Sequence, residues 1–294
     1  MGRFLVAASA LALSACAAGP APLAPAAPPA PVAPSEPPKT MQWLYGSGEA
    51  GAVSIQAYHA MRDYVLVAAR SRPRQSVILA DGSTLQNPRF RPCGNQPLAV
   101  VLDVDETALL NLGYEYDEAV KGRNFDPEIW ERWEQTGADK VAPVPGAVTA
   151  LRAIREAGVE VVFNTNRQAT NATQTEIAIN RSGLGPARHR DNLFLQGDAN
   201  SSGSGKDARR ALIASRYCVI AMAGDQLGDF SDLFNVRTLS VQERRRFATS
   251  GAFASMWGNG WFMLPNPVYG PGVRGSFDDV FPADKRWSDP AGEN

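Results

Sequence analysis

Histidine is nearly absent from this 294-residue sequence, which has 2 of them, His59 and His189. That excludes a multi-histidine zinc site and weighs against a histidine-based phosphatase. Charge of either sign is not in excess: 29 Lys and Arg face 30 Asp and Glu, for a net charge of -1. No basic field is therefore available to hold a nucleic acid polymer, and any phosphate recognition has to be local. Arg244-Arg245-Arg246 reads as a solvated helix face. No apolar run reaches the roughly 20 residues that a membrane-spanning helix needs. There is no Gly-x-Ser-x-Gly elbow of the kind that presents a nucleophilic serine. Gly203-Ser204-Gly205-Lys206 matches only the end of a phosphate-binding P-loop, because Asn200 and Asp207 stand where Gly and Ser or Thr are required. His189-Arg190-Asp191 has the letters of a kinase catalytic loop, but no DFG follows it.

Cysteine is scarce as well, with 3 in the chain, and the first of them is informative. Arg3 precedes a short apolar run, Phe4 to Leu13, which ends in Leu13-Ser14-Ala15-Cys16. A basic start, an apolar stretch too short to span a bilayer and small residues before a cleavage point make an export signal. The last four residues resemble a bacterial lipobox, with Cys16 as the lipidated first residue of the mature protein. Ala17, rather than Asp, fits sorting to an outer membrane, facing periplasm or surface. Residues 1–16 are thus read as a lipoprotein signal peptide, with membrane attachment through Cys16. An exported chain leaves Cys93 and Cys218 in an oxidising compartment, where they either pair or stay as inert buried thiols. Residues 17–40 are an Ala/Pro-rich linker, which cannot bury a core and tends to extend.

From Met41 onward the composition is that of a globular domain. Ala50 to Ala69 carries Val53, Ala57, Met61, Tyr64 and Val65 at helical spacing. Leu98 to Leu102 is a continuous apolar run, the mark of a strand buried on both faces. An aromatic and charged stretch follows, with Tyr114, Tyr116, Phe125, Trp130 and Trp133. Pro145-Gly146 opens a helix with Val148, Leu151 and Ile154 on one face. Val159 to Asn164 reads as a strand, Thr170 to Ser182 as a helix, Leu193 to Leu195 as a short strand. Lys206 to Arg216 reads as a helix, Cys218 to Ala223 as a strand, and Val236 to Val241 as the last strand. Strands alternating with helices predict an α/β fold, a doubly wound parallel sheet covered on both faces. In such sheets function gathers at the carboxyl ends of the strands.

The strand ends carry the chemistry. Asp103 and Asp105 stand two apart just past the Leu98 run, so in extended chain both face one pocket. Paired carboxylates stay ionised only beside a cation, and hard oxygen ligands suit Mg²⁺. An Asp carboxylate can also attack phosphorus. Thr165, with Asn166 and Arg167, ends the next strand and can donate to a phosphate oxygen. Lys206 opens a helix and can offset phosphate charge. Gly224-Asp225-Gln226-Leu227-Gly228-Asp229 ends the Cys218 strand with further carboxylates.

DxDxT, a strand-end Thr, a Lys and GDxxxD together resemble the haloacid dehalogenase superfamily of phosphohydrolases. The stretches LDVDETALLNLGY, FDPEIWERWEQTGADKVAPVPGA, VVFNTNR, GDQLGDFSD and LPNPVYG are similar to its class C acid phosphatases, bacterial surface lipoproteins that include nucleotide phosphatases. The segment around Lys206, SSGSGKDARR, departs most from the pattern.

The resemblance implies a Rossmann-like domain over 41–294, with a small helical cap at about 109–145 and an N-terminal helical extension. It implies an acid phosphatase that hydrolyses phosphate monoesters, nucleoside monophosphates among them, through an aspartyl-phosphate. Asp103 would be the nucleophile and Asp105 the general acid and then base. Mg²⁺ would be held by the Asp103 carboxylate, the Asp105 carbonyl and Asp225, with Asp229 a direct ligand or one step behind. Thr165 and Lys206 would grip the phosphoryl oxygens, with Asn166 and Arg167 beside them. Tyr114, Trp130, Trp133 and Tyr269 are candidates to stack on the leaving group. Two rivals remain: a sugar phosphatase or phosphotransferase on the same scaffold, and a noncatalytic ligand-binding surface lipoprotein. The presence of both Asp103 and Asp105 weighs against the second, because a binder has no need of the second carboxylate.

Overall fold

Leu98–Leu102 (β3) is the central strand of the main sheet, where five apolar residues in a row lie between two covered faces. The computed structural model describes residues 1–2, 34–199 and 203–289. The apolar leader, Cys16 and the Ala/Pro-rich stretch as far as residue 33 lie outside them. A short helix, Lys39–Met41 (α1), begins at the last two residues of the stretch read as linker, and a π turn, Gln42–Gly46, follows it. Ser47 then caps the long helix Gly48–Ser71 (α2) by accepting from Ala50 N at 3.1 Å. No helix among the described residues is long and apolar enough to cross a membrane.

After α2 come an antiparallel pair, Gln75–Leu79 (β1) and Phe90–Pro92 (β2), and then β3. A chain excursion follows: Leu109–Leu110 (β4), Leu112–Lys121 (α3), Pro127–Thr136 (α4) and Ala142–Pro143 (β5). β4 and β5 pair antiparallel and close its base. Asp126 caps α4 through Glu128 N and Ile129 N, and Pro127 sits at its first turn, so the Asp-Pro pair sets where this helix begins. Ala147–Glu156 (α5) leads to Glu160–Gln168 (β6), and Ala172–Arg181 (α6) to Leu193–Ala199 (β7). Asp207–Arg216 (α7) returns the chain to Cys218–Gly224 (β8). Val241–Thr249 (α8) precedes Trp261–Met263 (β9).

The main sheet has the order β7-β6-β3-β8-β9, with every pairing parallel. The chain winds outward from β3 through β6 to β7, then crosses back to β8 and β9 on the other side. This is the doubly wound sheet expected from the sequence, and its switch point lies at β3. Alternation along β3 divides the core. Val100 and Leu102 pack with Met61, Val65, Leu151, Ile154 and Phe163 on one face. Ala99 and Val101 pack with Ile213, Val219, Phe230 and Trp261 on the other. Full burial of each such aliphatic side chain is worth about 1.5–3 kcal/mol.

The strand expected over 236–241 is not formed. Ser240 accepts from Glu243 N at 3.2 Å, and the Glu243 carboxylate accepts from Ser240 N at 3.1 Å, so a capping box starts α8 there. The edge strand is β9 instead. Trp261 is fully buried and donates its indole N–H to Val77 O at 2.9 Å. Gly260 enters this strand at φ +108, and a Cβ there would lie 2.7 Å from Val77 Cγ1, so only glycine fits.

Cys93 and Cys218 form a disulfide, with their Cα atoms 4.7 Å apart across a sequence separation of 125 residues. It ties the chain after β2 to the start of β8. Closing so long a loop constrains the unfolded chain, so replacing both cysteines with Ala is expected to cost about 2–5 kcal/mol. Thermal unfolding without reductant would show the loss. Adding reductant to the wild-type chain should reproduce it.

Candidate active site

Asp103 follows β3 while still held in the sheet, its N–H donating to Ala223 O at 3.0 Å. The turn after it is braced from α2, where the Tyr58 hydroxyl donates to Thr107 O at 2.6 Å. On the adjacent strand, Gly224 must be glycine, since a Cβ would come 2.3 Å from Asp229 Cβ. That close approach folds the chain after β8 so that Asp225 and Asp229 face the same side. Asp225 is fixed by Thr107 Oγ1 at 3.0 Å, by Asn266 Nδ2 at 2.8 Å and by Gln226 Nε2 at 3.1 Å. Carboxylate oxygens of Asp103, Asp225 and Asp229 lie within 4.8 Å of one another, and all three residues are buried.

Lys206 joins them. Asp232 accepts from Lys206 N and Asp207 N, each at 2.9 Å, which pins the start of α7. Lys206 Nζ then donates to Asp103 Oδ1 at 2.5 Å and to Asp229 Oδ1 at 2.6 Å. Burial works against the Lys206 charge, but Asp103 and Asp229 outweigh it and raise its pKa. Burial raises the Asp103 pKa well above the usual carboxylate range; Lys206 opposes, while Asp229, Asp225 and Asp105 add to the rise. Burial and the Asp229 charge push Asp225 up to about 7.

The Asp105 carboxylate is turned away from this cluster. Asn111 Nδ2 donates to it at 3.0 Å, Thr165 Oγ1 at 3.2 Å, and Arg167 by a fork at 2.9 and 2.8 Å. Arg167 is buried and also donates to Asn111 Oδ1 at 2.8 Å. The sequence reading placed Arg167 with the phosphate ligands; the structure gives it to Asp105 instead. The reason is strand alternation: Thr165 and Arg167 share one face, Asn164 and Asn166 the other. Asn164 and Asn166 accept from Arg209 at 2.7 and 2.5 Å. Asn166 and Lys206 border the cavity above the carboxylates. Replacing Arg167 with Lys keeps the charge but loses the planar fork. An Asp105 displaced by about 1 Å should lose about 10²-fold in kcat, with KM little changed. Steady-state rates would read this split.

Glu106 escaped the sequence reading. It sits at φ +52, is buried, and accepts from Tyr45 Oη at 3.2 Å, from Asn111 N at 2.9 Å and from the Tyr269 hydroxyl. Burial, then the Asp105 charge, push its pKa up to about 7 against these hydrogen bonds. Its only signal was its place in LDVDETALLNLGY.

The cavity has a volume of about 1050 Å³ and lies between the carboxylates and the helices α3 and α4. Trp130 and Tyr269 border it. Tyr114 does too, but it is nearly fully buried and packs edge-on against Trp130 at 4.8 Å. Trp133 does not border the cavity and packs behind Tyr114 at 6.2 Å. Glu134 of α4 accepts from Trp130 Nε1 at 2.7 Å, Gln168 N at 3.0 Å and Asn171 Nδ2 at 2.8 Å, clasping the helix onto the end of β6.

Residues 49–272 match the family model of the HAD superfamily, subfamily IIIB (acid phosphatase). The chain belongs to that family. Among solved structures, it is similar to the class C acid phosphatase from Bacillus anthracis, at 24% identity and a TM-score of 0.62, over 79% of this chain and 84% of that one. The same protein with tungstate bound matches equally, at 24% identity and a TM-score of 0.62 over 79% and 84% of the two chains. These likenesses bear out the HAD-like fold.

This acid phosphatase is therefore a phosphoric monoester hydrolase. Its carboxylate cluster fits a divalent cation: hard oxygen donors, buried and close together, whose mutual repulsion a cation would relieve. Asp103, Asp225 and Asp229 supply those donors, while the Asp105 side chain stands outside the group.

Proposed function

We propose that this acid phosphatase hydrolyses phosphate monoesters, nucleoside monophosphates among them, through an aspartyl-phosphate on Asp103 with Mg²⁺ as the cation. The observation that carries the reading is the separation of tasks between two neighbouring carboxylates. Asp103 lies with Lys206, Asp225 and Asp229, where negative charge is neutralised. Asp105 is caged by Asn111, Thr165 and Arg167 at the cavity wall.

In the first step the Asp103 carboxylate bonds to phosphorus and the bond to the leaving oxygen breaks. Asp105 delivers a proton to that oxygen as it leaves. In the second step Asp105 takes a proton from water, whose oxygen attacks phosphorus and frees Asp103. Lys206 holds charge that develops on the phosphoryl oxygens, in a buried site where such an interaction is strong. Mg²⁺ on Asp103, Asp225 and Asp229 would neutralise carboxylate and phosphate charge and so let the two anions approach.

The test is phosphate release by the full chain from AMP, a sugar phosphate and p-nitrophenyl phosphate, with Mg²⁺ or with EDTA. Release that needs Mg²⁺ and favours AMP is expected. Equal rates with all three, or release in EDTA, would count against the nucleotide or the metal respectively. Export with a lipid on Cys16 belongs to the same proposal and rests on the Leu13-Ser14-Ala15-Cys16 motif. Labelled palmitate should enter the wild-type chain in cells and not Cys16→Ala; equal labelling would end the anchor.

A further inference from the structure

The cap side of the cavity has a chemistry that the phosphate reaction does not use. Glu115 and Glu118 stand three apart on α3, and Glu128 and Glu131 three apart on α4; all border the cavity. Residues at that spacing share a helix face, where like charges repel. Among the described residues, no basic side chain other than Lys206 lines this space, and Lys206 is bound to Asp103 and Asp229. Glu115 is only 3% exposed, and its Oε2 has no hydrogen-bond partner among the described residues. A buried acceptor left unpaired is costly and wants a partner. Burial first, then Glu106, Glu118 and Asp105, push its pKa up to about 8.

Aromatic rings accompany these carboxylates. Trp130 is oriented by its bond to Glu134, packs against Tyr114, and has the exposed Phe125 ring 6.2 Å away. A neutral ring without an N–H or O–H donor would use the aromatics and leave Glu115 unpaired. An acidic group would meet carboxylates on both helices. A cation satisfies both, by attraction to ring faces and by pairing with carboxylate.

We propose that the cap forms a subsite that accepts a positively charged organic leaving group, so that phosphate esters of ammonium or quaternary-ammonium alcohols are preferred over uncharged esters of the same shape. The proposal rests on the phosphomonoesterase reading and narrows its substrate.

The test compares phosphocholine with 3,3-dimethylbutyl phosphate, an uncharged ester of the same shape, on the full chain with Mg²⁺. A kcat/KM ratio of at least about tenfold in favour of phosphocholine is expected. Glu115→Gln and Glu118→Gln should each lower that ratio several-fold. Because it is a ratio, partial loss of folded protein cancels. A wild-type ratio within about twofold of one, or a ratio unmoved in both variants, would overturn the subsite. p-Nitrophenyl phosphate, run in parallel, reports whether the hydrolytic site works at all. If no ester is cleaved, the hydrolytic reading fails by itself. Calorimetry with choline against 3,3-dimethylbutanol then decides the subsite: tighter binding of choline sustains it, and equal or absent binding overturns it.

Discussion

Replacing Asp103 with Asn should reduce phosphate release by at least about 10⁴-fold, because an amide oxygen cannot form the phosphoenzyme. The substitution suits the site in every other respect. Asn has nearly the same volume, and its carbonyl can still accept from Lys206, which now bonds Asp103 Oδ1 at 2.5 Å. It also removes one charge from three buried carboxylates that repel one another. The variant should therefore unfold at a temperature no lower than the wild type when no metal is added. Loss of turnover with the melting temperature held is the expected pair of results. Turnover within tenfold of the wild type would show that Asp103 is not the nucleophile. Loss of turnover with loss of fold would show that its charge is structural.

Much of this fold was legible because a strand buried on both faces leaves a plain record. LAVVL, VVFN and CVIAMA are continuous apolar runs, and they became β3, β6 and β8. Acidic residues directly after such runs have nowhere to be but the carboxyl edge of the sheet, which is where Asp103 and Asp225 stand. The failures have physical causes too. β9 is three residues long, too short for any period, and the apolar letters of 236–241 hid a helix start that Ser240 and Glu243 mark. Arg167 was legible in principle, since its two-residue spacing from Thr165 puts both on one strand face. The Glu106 network was not, because Tyr45 and Tyr269 reach it from 61 and 163 residues away. No local pattern records a partner that distant.

Lys206 provides the second large effect. Its ammonium is buried between Asp103 and Asp229, so it is the cation that holds those carboxylates together, and in the proposed reaction it also grips the phosphate. Lys206→Met keeps the length of the side chain and removes the charge. Breaking a buried ion pair by deleting one partner costs about 3–5 kcal/mol. At roughly 2–4 °C per kcal/mol for a domain of this size, the melting temperature in EDTA should fall on the order of 10 °C. A divalent cation on Asp103, Asp225 and Asp229 replaces the missing charge and binds only the folded chain. Adding Mg²⁺ should therefore recover part of the loss and raise the variant's melting temperature more than the wild type's. Activity should stay about 10²–10³-fold down even with Mg²⁺, because the developing phosphoryl charge has lost a preorganised donor. A surface lysine would behave otherwise: the melting temperature would hardly move, and kcat would be kept. A variant that melts like the wild type in EDTA would place the Lys206 ammonium in solvent. A variant that gains no more from Mg²⁺ than the wild type would separate the lysine from the cation site.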